Sequence, residues 1–195
     1  MKKVISKILP ALMVITFIGC KEEKNPCSIS EAILKNIDKE DSLINLPEVK
    51  KRDSIWNLKT YNEPSLITAQ NDSYRFTLAS AFEGVHIYRV EKNNDHYKAT
   101  IKFIADPGIE PVVKEFSIPG KTWNNIVDSL AADSFWTYPS SIDRSGLDGA
   151  TWVLEGYKSK PDRCTGKNYH RLMRWSPIDS TFIAMCDLLY HLKKE

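Results

Sequence analysis

The centre of the chain alternates apolar and polar residues, as expected for β-strands. The clearest strand has apolar side chains at every second position, namely Tyr97, Ala99, Ile101 and Phe103. Shorter stretches of the same kind occupy residues 74–78, 85–91 and 112–118, and turn-forming residues fill positions 92–95. Because these strands follow one another through short connections, they predict an antiparallel β-meander.

Two later stretches follow the 3.6-residue period of an amphipathic helix. The first has an apolar stripe that begins at Trp123, with Thr122 as the candidate N-cap. The second has Ser176 as the candidate N-cap, followed by an apolar stripe over residues 178–192. Both patterns predict helices that each bury one face.

The remaining segments complete the prediction. Strands are expected over residues 150–156 and 168–176, and a helix is expected from Ser28 to just before Pro47. Residues 48–72 are expected to be irregular, with one short strand at most. Strands followed by helices define an α+β class, here an antiparallel β-meander covered on one face by two or three helices.

The N-terminus has a different pattern. Three lysines lie within residues 1–7, and an apolar run extends from Ile8 to Ile18. This arrangement is typical of a secretory signal, and as a helix the run would span only about 16 Å, roughly half of a bilayer core. The next residues complete the sequence Phe17-Ile18-Gly19-Cys20, which resembles the lipobox of bacterial lipoproteins.

That resemblance implies cleavage before Cys20 and attachment of acyl chains such as palmitate through its thiol. The chain then divides into a cleaved signal peptide (1–19), a lipidated polar tether (20–28) and a single α+β domain (29–195). Several acyl chains would hold such a protein durably on a membrane. An uncleaved N-terminal anchor helix and a signal cleaved at another position are the alternatives.

The residues that follow Cys20 indicate on which face of the outer membrane the protein would lie. Lys21-Glu22-Glu23 resembles the export signal that sends lipoproteins of some Gram-negative bacteria to the cell surface. The alternative is a solvated tether on a lipoprotein that stays on the periplasmic face.

Composition and charge narrow the classes of protein further. The chain has 195 residues, 42% of them hydrophobic and 27% charged, with a mean hydropathy of -0.35, which excludes a multi-span membrane protein. Its formal charge is +2, but loss of Lys2, Lys3 and Lys7 would leave 24 of the 27 basic residues against 25 acids. A slightly acidic product gives no reason to expect a nucleic-acid partner.

The last third of the chain contains its most distinctive residue pattern. Asp148-Gly149, Trp152 and Glu155 are followed by Tyr169-His170 and Arg174-Trp175-Ser176-Pro177. This order resembles a widespread family of uncharacterised bacterial proteins with the pattern DG..W..E, YH and RW.P. Since no activity is assigned to that family, the resemblance implies a shared folding unit and no function.

Strand parity suggests one catalytic arrangement in this segment. The expected register puts four apolar side chains in the core: Trp152, Leu154, Met173 and Trp175. Glu155, His170 and Arg174 then share the opposite face, where a carboxylate beside an imidazole could begin a general base, with Asp148 nearby. The favoured alternative is a cross-strand ion pair on a solvated face, with Asp148 as a turn residue, because no nucleophile completes the set. No catalytic residue is therefore assigned.

Metal and cofactor chemistry have no support in the motifs. His86, His96 and His191 lack the spacing of metal ligands, and no glycine-rich phosphate loop occurs, so neither a metal nor a cofactor is expected. Tryptophans could form a stacking platform for a glycan, and Trp56 and Trp136 are the two not assigned to the core. Core packing is the favoured interpretation of these two as well.

Three cysteines remain if Cys20 is lipidated. Cys186 lies on the apolar stripe of the last helix and is expected to be a buried thiol. Cys27 and Cys164 could form a disulfide that fastens the tether to the domain, or both could remain free thiols.

The sequence therefore predicts a lipid-anchored cell-envelope protein that acts as a binding or assembly module for a protein or glycan partner. One alternative is a small hydrolase-like envelope enzyme that uses Glu155 and His170. The other is an inhibitor or immunity-type protein, which would present an exposed apolar patch.

Overall fold

The computed structural model describes residues 61–80, 82–106, 108–140 and 148–192, together with Lys35. Within these ranges, six antiparallel strands form one sheet and two α-helices pack on it, which confirms the predicted α+β class. The strands are β1 (Ser73–Ser80), β2 (Gly84–Asn93), β3 (His96–Ile104), β4 (Val112–Ser117), β5 (Ala150–Tyr157) and β6 (Tyr169–Trp175). The helices are α1 (Gly120–Ala132) and α2 (Ser180–Tyr190), and short 3₁₀ turns occur at Leu66–Thr68 and Phe135–Thr137.

The strand order across the sheet is β4-β3-β2-β1-β5-β6. Strands β1 to β4 form the predicted meander, and the β5–β6 hairpin joins the sheet on the other side of β1. All eight residues of β1 therefore pair with both β2 and β5. The first strand of the described sheet lies in its middle.

The main core lies between the sheet and the two helices, on what we call the helix face. Helix α1 buries Trp123, Ile126 and Leu130, and α2 buries a second stripe. The buried stripe of α2 consists of Phe182, Met185, Cys186 and Leu189. Their partners on the strands include Tyr74, Phe76, Leu154 and Leu172. Both helices thus form because amphipathic stripes complete a core that neither could bury alone.

Both predicted helix starts are wrong. Helix α1 begins at Gly120 with Pro119 as its N-cap, so Thr122 lies inside the helix. Helix α2 is capped by Asp179, whose carboxylate accepts a hydrogen bond from the Thr181 amide at 3.0 Å. The carboxylate of Asp179 accepts hydrogen bonds from amides of the first turn and also interacts favourably with the positive end of the helix dipole. Asp179, and not Ser176, is therefore the N-cap of α2.

The opposite face of the sheet is covered by residues 61–68, which we call the strap. Tyr61 packs there in a second hydrophobic cluster with Ala79, Val85, Ile87 and Ile104. The alternating pattern of β3 predicted one buried and one polar face, but Thr100 and Lys102 on its polar face are buried as well. The short strand suggested within residues 48–72 does not occur over residues 61–72, where the 3₁₀ turn at Leu66–Thr68 is found.

Several sequence predictions lie outside the described residues. These are the signal peptide, the lipidated tether with Cys20 and Cys27, the Lys21-Glu22-Glu23 segment, Trp56, and the helix from Ser28, except that Lys35 is helical and exposed. They stay predictions.

The two described cysteines differ in state. Cys164, in the loop between β5 and β6, is disulfide-bonded, whereas Cys186 is a free and buried thiol. Burial raises the pKa of the Cys186 thiol, which keeps it protonated and unreactive. Cys27, the partner that the sequence suggests for Cys164, lies outside the described residues.

We expect a non-reducing digest of the mature protein to contain a peptide that links Cys27 to Cys164 and disappears on reduction. Cys164→Ser should lower the free energy of unfolding by about 2–5 kcal/mol, because a cross-link restricts the unfolded chain. Mass spectrometry of the digest and urea unfolding measure both effects, and Cys186 should be unlinked in the same digest. A free Cys27 thiol in oxidised protein would contradict the pairing.

Candidate functional site

The register between β5 and β6 decides which of the candidate residues meet. Leu154 is opposite Leu172, Gly156 is opposite His170, and Glu155 is opposite Arg171. The predicted register is therefore wrong by one residue, and a slip of one residue sends every side chain of a strand to the other face. Glu155 and His170 lie on opposite faces of the sheet and do not form a dyad.

The slip also changes the predicted core. Trp152 and Leu154 do face the helices, but they share that face with His170 and Arg174. Met173 and Trp175 instead share the strap face with Glu155.

The register of β5 and β6 could not be predicted from the sequence pattern, because the connection between the two strands is long. It folds as a loop over residues 158–168, closed by a hydrogen bond from the Lys158 amide to the Asn168 carbonyl at 2.8 Å. Inside it, Asp162 accepts hydrogen bonds from the amides of Cys164 and Thr165.

His170 has a structural position in the helix-face core. Its side chain is 1% exposed and packs against Phe135 and Trp136, with ring centroids at 5.3 and 6.4 Å. Its Nε2 lies 2.9 Å from the carbonyl oxygen of Tyr138. Because a carbonyl only accepts, Nε2 carries the proton and donates it, which holds the segment after α1 against β6.

Arg174 fastens the same segment. Its guanidinium donates to the carbonyl oxygens of Pro139 at 2.6 Å and Ser140 at 3.1 Å, and it lies over the ring of Phe182. The Met173 amide also donates to Ser140 at 2.8 Å, so this segment covers part of the outer edge of β6. Arg174 is thus a structural residue on the helix face.

Asp148 is exposed and precedes β5, as the turn interpretation expected. The chain approaches itself closely here, because a Cβ on Gly149 would lie 2.3 Å from the Ser176 Oγ. That Oγ accepts a hydrogen bond from the Ala150 amide at 3.3 Å. Ser176 therefore joins the end of β6 to the start of β5.

A line of polar side chains crosses the strap face at a single register position, and we call it the charged row. Its members, from β6 to β4, are Arg171, Glu155, Arg75, Arg89, Thr100 and Glu115. Arg75 contacts Glu155 through Nε at 2.8 Å and Nη2 at 2.7 Å. Tyr169 donates to the other oxygen of Glu155 at 2.8 Å.

Within this row, Arg75 and Arg89 are directly opposite each other on β1 and β2. Glu63 of the strap and Glu91 of β2 both supply negative charge to Arg89. The buried carboxylate of Glu63 lies 3.6 Å from Arg75, 3.2 Å from Arg89 and 2.6 Å from the ammonium of Lys102. One strap carboxylate is therefore shared by three cations.

Backbone carbonyl groups of the strap also bind the cations of the sheet. Lys102 donates to the carbonyl oxygens of Tyr61 at 2.9 Å and Asn62 at 3.1 Å, and Arg75 donates to that of Pro64 at 2.7 Å. The strap thus lies over β3, β2 and β1 in turn.

Two opposing effects act on Glu155. Burial alone raises its pKa, but the charges of Arg75 and Arg171 and the hydrogen bonds from Tyr169 and Arg75 outweigh burial and lower the pKa. The neighbouring Tyr169 hydroxyl has a pKa well above its usual value, because it is buried beside that carboxylate. At neutral pH, Glu155 is thus a structural anion and Tyr169 a neutral donor.

The four tryptophans in the described part of the chain offer little exposed stacking surface. Trp123 and Trp136 are buried, and Trp152 and Trp175 are half-buried. Trp152 packs on Phe76 with ring centroids 5.1 Å apart, so only part of its ring reaches the surface.

A different surface stands out at one end of the sheet, which we call the loop end. It consists of residues 82–83, 105–106, 108–111, 148–149 and 176–179, where β1, β3 and β6 end and β2, β4 and β5 begin. Large apolar side chains are exposed there: Phe82 (78%), Ile178 (74%) and Ile109 (55%). Phe82 and Ile109 lie in turns and belong to no periodic stretch. The predicted apolar stripe of the last helix included Ile178, but this is wrong, because α2 begins at Ser180 and Ile178 is exposed ahead of it.

The helix face continues this apolar character at the same end. Five apolar or aromatic side chains lie at one cross-strand register there, which we call the apolar row: Val112, Phe103, His86, Leu78 and Trp152. The sixth position of that register, on β6, is the buried Arg174. Val112 on edge strand β4 is 59% exposed, and the other four are half-buried. His86 packs against Phe103, with ring centroids 4.6 Å apart.

The described residues contain neither a metal-binding cluster nor a membrane-spanning helix. No group of three His, Cys, Asp or Glu side chains in the described part of the chain could hold a metal ion. Among its helices, none is long and apolar enough to cross a bilayer.

Comparisons with known proteins return no relative. No family model, no curated protein and no solved structure matches this chain.

We expect Glu63→Ala to lower the free energy of unfolding by about 3–5 kcal/mol, because Arg75, Arg89 and Lys102 lose their shared anion. Glu115→Ala is the matched control, since its pair with Lys98 is half-exposed and should contribute about 0–1 kcal/mol. Urea unfolding of both variants measures the difference. Equal losses would contradict a special role for the strap carboxylate.

We expect the stability of the protein to fall below about pH 4.5, and Glu155→Gln to flatten that dependence. The folded pKa of Glu155 lies below the ordinary value of 4.5 for a glutamate, so its contribution to stability is present above that pH and is lost as pH falls through the folded pKa. Thermal unfolding between pH 7 and pH 3 measures this. Glu110→Gln, on an exposed loop, should follow the unmodified protein; an unchanged slope in Glu155→Gln would contradict the assignment.

Proposed function

We propose that this chain is a lipid-anchored cell-envelope protein whose α+β domain binds a partner or supports an assembly. The observation that carries the binding role is the exposed apolar loop end. Soluble domains rarely expose several large apolar side chains in neighbouring loops unless another molecule covers them. The anchor is supported by the lipobox-like Phe17-Ile18-Gly19-Cys20 and by the basic and apolar segment before it.

The protein would be held by acyl chains on Cys20 in the outer membrane, on the cell surface if Lys21-Glu22-Glu23 acts as an export signal and on the periplasmic face otherwise. The inhibitor or immunity-type alternative agrees with the same apolar surface. The hydrolase-like alternative needed Glu155 beside His170, and the sheet separates them. A protein partner is favoured over a glycan, because the exposed side chains are mainly aliphatic.

Replacement of Cys20 by Ala tests the anchor. We expect Cys20→Ala to abolish labelling of the protein by radioactive palmitate and to release the domain from the membrane fraction. Cys186→Ala is the control, and it should retain both labelling and fractionation. Membrane retention of Cys20→Ala without labelling would refute the proposal, and protease shaving of intact cells would distinguish the cell surface from the periplasmic face.

A further inference from the structure

The loop end and the apolar row adjoin each other. Val112 begins β4 directly after the loop that contains Ile109, and Leu78 and His86 flank the hairpin turn that contains Phe82. The start of β2 approaches the end of β3 closely, since a Cβ on Gly84 would lie 2.3 Å from the carbonyl oxygen of Ile104. The apolar side chains of the loop end and of the apolar row therefore form one platform.

The charged residues within the described loop-end segments have one sign. Lys114, two residues beyond Val112 on β4, is an exposed cation outside these segments. Four acidic residues of the loop end are exposed: Glu83, Asp106, Glu110 and Asp148. The described residues of these loops include no Lys or Arg. The rim is thus acidic, whereas the apolar row inside it is uncharged.

His86 does not change that charge pattern at neutral pH. Burial lowers the pKa of its imidazole, against a smaller opposing effect of Glu83. The ring is therefore neutral at pH 7 and acts as an aromatic member of the row beside Phe103.

We infer that the loop end and the apolar row form one docking surface for a protein segment in which Lys or Arg residues accompany apolar ones. The inference rests on the proposed binding function and specifies the chemistry of the partner. Apolar side chains of the segment would cover Phe82, Ile109 and the apolar row. Its cations would face the acidic rim, where complementary charges favour encounter and exclude other partners.

Charge also argues against two other occupants. An isologous contact between two copies would bring the same acidic loops together, and like charges in contact oppose association. Anionic lipid headgroups would be repelled by the same four acids.

Two double variants test the surface in a binding experiment. The probe is a fluorescent synthetic peptide that alternates Lys and Leu, compared with one that alternates Glu and Leu. We expect the Lys peptide alone to bind, and Phe82→Ser/Ile109→Ser and Glu83→Lys/Glu110→Lys each to weaken binding about tenfold.

Matched controls separate a local effect from a general one. Ile67→Ser removes an exposed apolar side chain of the strap, and Asp95→Lys/Asp128→Lys changes the net charge equally at exposed sites outside the loop end. Both should bind the Lys peptide as the unmodified domain does. Equal losses in control and loop-end variants, or equal binding of the two peptides, would overturn the inference.

A photo-crosslinking residue at position 82 of the full lipid-anchored protein extends the test to cells, with position 67 as the control. We expect cross-links specific to position 82, to segments that contain Lys or Arg beside apolar residues. Cross-links to a second copy, to lipid or to acidic segments would overturn the partner chemistry and leave a binding role intact. No cross-link from any loop-end position would instead overturn the proposed function itself.

Discussion

Two arginines that oppose each other across β1 and β2 set the requirement on which the rest of the structure depends. Arg75 and Arg89 are both buried, and like charges in that position are tolerated only with anions close by. Glu155 supplies an anion from β5, Glu63 supplies one from outside the sheet, and Glu91 on β2 also pairs with Arg89. The β5–β6 hairpin and the strap are therefore both joined to the central strands by charge.

Both faces of the described sheet are covered. The helices bury the aromatic side chains of one face, and the strap buries the charged row and Tyr61 on the other. His170 and Arg174 use their polar contacts to hold the segment after α1, so these titratable residues stabilise the fold. The loops at one end of the sheet expose the large apolar side chains of Phe82, Ile109 and Ile178.

The elements were predictable from sequence where a single local pattern determined them. The alternation of β3 and the apolar stripes of α1 and α2 led to the right fold class, because burial of one face is encoded within each segment. The register of β5 and β6 was not predictable, since it depends on the long loop that connects them. The strap was not predicted, because the polar residues Thr100 and Lys102 on β3 are typical of a solvent-exposed face. The segment that buries them contains Glu63, which is far away in the sequence. Phe82 and Ile109 carry no periodic signal, and the helical period misleads at Ile178, which precedes α2 and is exposed.

The direction of the strap also has a mechanical consequence. It runs across the strands, so a force applied to the chain ahead of Tyr61 would break its contacts in sequence rather than all at once. The contacts of Lys102 with Tyr61 and Asn62 would be loaded first, followed by Glu63 and then by Pro64 against Arg75. If the domain is tethered by its N-terminus, the contacts of the strap would carry the load one after another, and a cross-link through Cys164 would transfer that load to the β5–β6 loop instead.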